Sequence, residues 1–293
     1  MRGSPPKPQK LSMPAESLYA LVLLAAIAHA SWNAVVKSSN DRLLMLSSIR
    51  FTGLVFGASV VWFVPLPQPQ SWPYLLGAAA VHYIYYAFLL LSYRVGDLSQ
   101  VYPLARGSAP LIVAGLAAIA IDEHLNATKM TAVLLVSLGI LSLAFHRGTV
   151  RSGAVPFALA TGTAIAGYTL LSAIGIRLSG SPLAYVGWLE IMTGLGMVLF
   201  AVGRRRAAIM PFMQKHWVSG VAAGLLSLVS YVIALFAMLI LPVAPVAALR
   251  ETSIIFAALI GTFKLRERFG FQRSAASCAV VLGVILLAIP SRY

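Results

Sequence analysis

Long apolar runs alternate with short polar breaks along nearly the whole chain. A bilayer hydrocarbon core about 30 Å thick is crossed by roughly 20 helical residues. Ten runs approach that length: 18–36, 44–64, 73–93, 99–120, 128–146, 154–175, 183–202, 217–238, 243–263 and 272–290. The breaks carry turn chemistry and charge. "PLPQPQSWP" (65–73) reads as a proline-rich loop, "DEHLNATK" (122–129) and "KLRERFGFQR" (264–273) as polar hairpins, and "GRRR" (203–206) as a basic loop. The junction around Pro242 is very short. Backbone groups in lipid find no water and must bond within their own segment, so each run is expected to be a helix. The expected fold class is an all-α membrane protein with ten transmembrane helices.

Composition agrees with this pattern. The chain of 293 residues is 59% hydrophobic and 10% charged, with a mean hydropathy of +0.86. Soluble domains are about 45–50% apolar and about 25% charged. The net charge of +14 does not point to nucleic acid, because the basic residues fall mainly between apolar runs, where positive loops face the cytoplasm. Arg2, Lys7 and Lys10 precede an apolar stretch and Ala28-His29-Ala30, which looks like a signal peptide. The apolar run continues to Val36, however, so the segment is read as an uncleaved first span. The single cysteine, Cys278, allows no intrachain disulfide, and no zinc-type Cys/His spacing occurs. The sequence holds no H-E-x-x-H, G-x-S-x-G or Walker pattern. An enzyme is not expected, nor a cofactor or metal; the expected partners are the lipid bilayer and a small-molecule substrate.

The chain also repeats. Residues 106–144 overlay 250–288 without a gap, at a constant offset of 144. Arg106 falls on Arg250, Glu123 on Glu267 and Gly139 on Gly283. Ala132 and Val136 meet identical residues at 276 and 280. The expected organisation is a polar tail over 1–17, a first five-helix repeat over 18–146 and a second over 147–290. An odd number of spans per repeat inverts the second against the first. Many secondary transporters share that plan, with substrate held near the midplane between the halves. Two fused halves can form one pathway within a single chain.

The segment "YRVGDLSQVYPLARGSAPLIVAGLAAIAIDEHLNATKMTAVLLVSLGILSLA" (93–144) resembles the EamA family of the drug/metabolite transporter superfamily. The Gly96-Asp97 pair, Pro110 in the fourth helix, Glu123 at its end and Gly139 in the fifth carry the likeness. "LRERFGFQRSAASCAVVLGVILLA" (265–288) repeats the glutamate and glycine but has Ile254 where the proline would stand. The second half is therefore expected to bend differently. The resemblance implies a ten-helix secondary transporter that moves small metabolites by proton coupling or exchange, here in a bacterial inner (plasma) membrane.

Some residues could carry chemistry. Arg106 and Arg250 each lie about eight residues into a span, roughly 12 Å deep. An arginine near mid-bilayer costs about 2.5–3.5 kcal/mol on insertion scales, so each must face protein, water or a ligand. As a pair they could hold a carboxylate or phosphate through bidentate guanidinium contacts. Alternatively, internal acids neutralise them; Arg250 has Glu251 or Glu190 at hand, whereas Arg106 has no acid in its own span. Glu190 and Glu251 are the two acids inside spans, suited to proton coupling or to ion pairs with Arg50, Arg106 or Arg250. Glu123 and Glu267 end their helices as a gate or latch, or as surface groups pairing with Lys129, Arg266 or Arg268. Trp32, Tyr168, Tyr231 and His82 are candidates to line a polar cavity. Gly53/Gly57 and Gly220/Gly224 read as close helix packing. Pro103, Pro110, Pro242 and Pro245 should kink or break the fourth and ninth helices.

The face holding both termini carries six Lys and Arg and the opposite face thirteen. The positive-inside rule would put the termini outside, while the family resemblance implies that they are inside. The leading expectation for function is transport of a small anionic or zwitterionic metabolite, such as an amino acid, organic phosphate or phosphonate. Export of cationic drugs and a non-transporting scaffold or sensor are the alternatives.

Overall fold

The computed structural model describes residues 15–95, 98–145, 152–257 and 271–289. Its helices are α1 (Ala15–Ser38), α2 (Arg42–Val60), α3 (Trp72–Val95), α4 (Leu98–Ile121), α5 (Ala127–Ser142), α6 (Val155–Leu178), α7 (Pro182–Ala237), α8 (Val243–Glu251) and α9 (Phe271–Ala288). The described residues contain no strand. Among the described residues six helices, namely α1, α2, α4, α5, α6 and α7, are long and apolar enough to cross a membrane.

Among the described residues the ten expected spans differ from these elements at the basic break 203–206 and in the ninth span, whose helix α8 ends at Glu251. The basic break "GRRR" is a sharp kink rather than an extended loop, and the seventh and eighth spans are the two helical arms of the 56-residue α7 on either side of it. A straight helix of this length would reach about 84 Å, far beyond one bilayer. Contacts with α2 show that it folds back instead. A β-carbon on Gly57 would strike the Gly187 carbonyl, and Gly194 lies against Arg50 and Leu54, so the first arm runs antiparallel to α2. Gly220 lies against Ser48 and Gly224 against Thr52, so the second arm runs parallel to it. The reversal is at Arg205, whose backbone is non-helical (φ −137°, ψ 25°). The glycine pairs thus act in packing, as their spacing suggests.

The α5–α9 crossing carries the repeat into three dimensions. A β-carbon at Gly139 would lie 3.0 Å from the Ala276 carbonyl oxygen and 3.1 Å from Val280. One at Gly283 would lie 2.8 Å from the Ala132 carbonyl oxygen and 2.7 Å from Val136. Each contact maps onto the other by the offset of 144. The helix ends are exchanged as well. Near the start of α5, Lys129 Nζ donates to the Leu287 carbonyl and, at 3.1 Å, to that of Ile289 at the end of α9. At the start of α9, Gln272 donates at 2.7 Å to the Ser142 carbonyl that ends α5. The two sequence-equivalent helices therefore run antiparallel, each closing the other's open carbonyls.

At the end where α4, α6 and α7 terminate, Pro242 and Pro245 lack the N–H groups that a continuous helix would aim at the carbonyls of Met238 and Leu241. Arg177, in the last turn of α6, fills both places: Nε donates to Met238 at 2.8 Å and a terminal nitrogen to Leu241 at 3.1 Å. The same guanidinium meets Glu123 at 3.1 Å, and the other Glu123 oxygen accepts the Val243 N–H. One ion pair thus clasps α4, α6 and the break between α7 and α8. Among the described residues the ion-pair partner of Glu123 is Arg177; Lys129 is engaged with α9, and Arg266 and Arg268 lie outside the described residues. Glu267 and the Gly96-Asp97 pair also lie outside them.

Two stability predictions follow from these contacts. Arg177→Gln strands a mostly buried carboxylate and two carbonyls, and should cost roughly 3–5 kcal/mol, read as a fall in Tm in detergent. Exposed Lys215→Gln should leave Tm unchanged within error. Gly283→Ala should lower Tm through overpacking, of order 1–3 kcal/mol. Gly115→Ala, where an added methyl meets no atom within 4 Å, should hold or raise it.

Candidate functional site

The ninth span breaks where its charges sit. α8 ends on Arg250 and Glu251. Thr252 then turns back, its N–H to the Leu249 carbonyl at 3.2 Å and its hydroxyl to the same carbonyl at 2.6 Å, before helix resumes at 253. The bend falls two residues before Ile254, so the second half does bend without the family's proline. A helix C-terminus favours a cation, which suits Arg250 in the last turn and makes Glu251 dependent on neighbouring positive charge. In α4, which is continuous through Pro103 and Pro110, Pro110 removes the N–H that would bond the Arg106 carbonyl.

The three charged groups converge. One Glu251 oxygen lies 2.7 Å from Arg106, and the other lies 3.4 Å from Arg250. Arg106 and Arg250 are each 4% exposed and Glu251 1%. The lack of an acid in its own span therefore does not leave Arg106 unpaired, because Glu251 reaches it from α8. Arg106 also donates at 3.1 Å to His29 Nε2. Arginine cannot accept, so that nitrogen is the acceptor and the imidazole proton is on Nδ1, which faces Ser230 at 3.4 Å. The Tyr102 ring lies 5.2 Å from the Arg106 guanidinium.

Arg250 is held more loosely. Its terminal nitrogen is 3.5 Å from the Thr169 hydroxyl, and its guanidinium lies 6.0 Å from the Tyr168 ring. Its buried Nε has no hydrogen-bond partner among the described residues. Tyr168 stacks on His82 (centroids 3.9 Å apart, 25°), and Tyr231 makes a T-shaped contact with His82 at 6.2 Å. His82 Nδ1 donates to the Ala78 carbonyl at 2.8 Å. Tyr231 meets Ser172 at 3.3 Å. A second ion pair lies beside this group: Arg50 reaches Glu190 at 3.5 Å and Ser227 at 2.7 Å. Gly53 makes room for that glutamate, whose carboxylate occupies the space that a β-carbon would need.

The charges do not cancel. Arg50 and Glu190 form a neutral pair, whereas Arg106 and Arg250 share one carboxylate. The position equivalent to Glu251 in the first half is Gly107, packed against Leu141, so the near-symmetric pair of arginines has a single acid. Among the described residues this cluster carries one uncompensated positive charge in a buried setting. The arrangement can bind an anion.

Of the candidates named from sequence, Arg106, Arg250, Glu251, Tyr168, His82 and Tyr231 form one connected group. Glu190 joins Arg50 next to it. Trp32 stands at its edge, touching His29 edge-on at 5.0 Å and packing with Met45, Ile49 and Ala223. Thr169, Ser172, Ser227 and Ser230 were not legible as site residues. Serine and threonine in membrane helices commonly bond a carbonyl one turn back, as Thr193 does with Leu189 at 2.8 Å, so their presence in a span says little.

The pattern of the EamA-like transporter family matches residues 152–289. No curated protein sequence matches the chain. A solved structure, described only as the crystal structure of a protein, superposes with a TM-score of 0.71 at 15% identity, covering 93% of this chain and 95% of its own. That likeness speaks for a shared fold across both halves. With its apolar helices and its matching second half, the chain is an integral multi-pass membrane protein whose residues 152–289 are similar to the EamA-like transporter family.

Proposed function

We propose that the protein is a ten-helix secondary transporter of two inverted five-helix repeats, and that it moves a small anionic or zwitterionic metabolite by alternating access. The observation that carries this reading is the convergence of Arg106 and Arg250, equivalent positions of the two halves, on the single carboxylate of Glu251. The antiparallel α5–α9 crossing supports the inverted arrangement, since equivalent helices of inverted repeats run in opposite directions. The broken ninth span supports a midplane site, because interrupted helices are tolerated in membranes where they line a cavity or are buried in protein. On this reading the units are 18–146 and 147–290, one chain forms the pathway, and the membrane is a bacterial inner membrane.

Export of cations is the weaker reading. It needs a carboxylate available to the ligand, and both buried glutamates already meet arginines. A scaffold or sensor would also contain ion-paired arginines. It gives no reason for two arginines to share one acid.

The test is a panel of amino acids, organic phosphates, phosphonates and cationic drugs, read first as thermal stabilisation of purified protein and then as counterflow in proteoliposomes. Anionic or zwitterionic members should raise Tm and exchange across the membrane. Stabilisation by cations alone, or by nothing in the panel, would overturn the reading. Glu251→Gln should abolish counterflow and lower Tm, because it leaves two buried guanidiniums without a counter-charge.

A further inference from the structure

The two arginines are not equivalent in what they have left to give. A guanidinium has five N–H donors in a fixed fork. Arg106 spends its terminal nitrogens on Glu251 at 2.7 Å and His29 at 3.1 Å, with Tyr102 against its face. Charge-assisted N–H···O bonds run about 2.7–2.9 Å, and the Arg106–Glu251 bond is in that range. The contacts of Arg250 are 3.4 and 3.5 Å, at the limit of a hydrogen bond, and both fall on one terminal nitrogen. Its Nε is buried and has no partner among the described residues. Nε and a terminal nitrogen together form the edge that grips a carboxylate or phosphate through two parallel bonds.

We propose that Arg250, not Arg106, is the arginine that grips the substrate, and that the substrate is an organic anion with a single net negative charge. The proposal rests on the transport reading above and narrows it. Arg106 then acts as a positioning residue: it holds Glu251, and so keeps the neighbouring carboxylate from closing fully on Arg250. Burial decides the charge. Unpaired charge is costly away from water, and Arg106, Arg250 and Glu251 sum to one positive charge. A monoanion brings that sum to zero. A dianion would leave one negative charge, and a zwitterion would leave the positive charge in place. The groups on the Arg250 side also suit an organic body: Tyr168 and His82 are stacked beneath it, and the Thr169 hydroxyl lies beside it.

The experiment compares ligands matched in size and differing in charge: butyrate as monoanion, succinate as dianion and γ-aminobutyrate as zwitterion, with benzoate as a monoanion bearing a ring. Each is titrated at pH 7.5 into wild-type protein, Arg250→Lys and Thr169→Val, with affinity read from thermal shift. Wild type should bind the monoanions most tightly. Arg250→Lys keeps the charge but loses the fork, and should weaken them roughly tenfold or more. Thr169→Val should stay within a few-fold of wild type. Tighter binding of succinate or γ-aminobutyrate to wild type, or unchanged affinity in Arg250→Lys, overturns the proposal and leaves anion transport standing. Should Arg250→Lys fail to fold, the wild-type charge ranking decides. If wild type binds none of these and nothing in the wider panel, the transport reading falls with it.

Discussion

A guanidinium buried among membrane helices must be given a counter-charge, and this protein gives two of them the same one. Glu251 is the shared counter-charge. It joins α4 to α8, halves of the chain that are 145 positions apart at this contact, and it sits at a helix C-terminus where a carboxylate is unfavourable without cations nearby. Removing either partner would leave buried charge exposed to low dielectric, typically a loss of several kcal/mol. Much else is arranged around this group: His29 and Tyr102 secure Arg106, Tyr168 and Thr169 flank Arg250, and the Thr252 turn ends α8 at the carboxylate.

The rest of the architecture keeps broken and crossing helices together. Prolines interrupt the chain between α7 and α8, and Arg177 takes up the carbonyls that they leave open, its own charge balanced by Glu123. α5 and α9 cross through small residues and exchange end caps. Both devices lie away from the arginine cluster. They fix the ends of helices while the ninth span is interrupted at Glu251–Thr252.

Much of this was legible in the sequence. Hydropathy located the helices, and the offset of 144 paired Arg106 with Arg250. What the sequence concealed was of two kinds. The break at 203–206 was legible from its charge and glycine, but not its tightness: the chain reverses through one non-helical residue, Arg205, with helix on either side. Partner choice was the other. Glu123 had several basic residues near it in sequence, yet Arg177 reaches it because α6 ends at the same level as α4. Arg106 had no acid in its own helix because its acid lies across the repeat. Pairings of this kind depend on how helices stack, and local pattern does not carry that information.

The central claim is that the buried cluster holds one positive charge in excess and takes up an anion to cancel it. Charge movement on ligand binding measures this most directly. Reconstituted protein on a solid-supported membrane, given a rapid step of a binding anion, should produce a transient current with the sign of negative charge moving into the protein, including under conditions that block turnover. No current, or a transient of that size evoked by an organic cation instead, would contradict it.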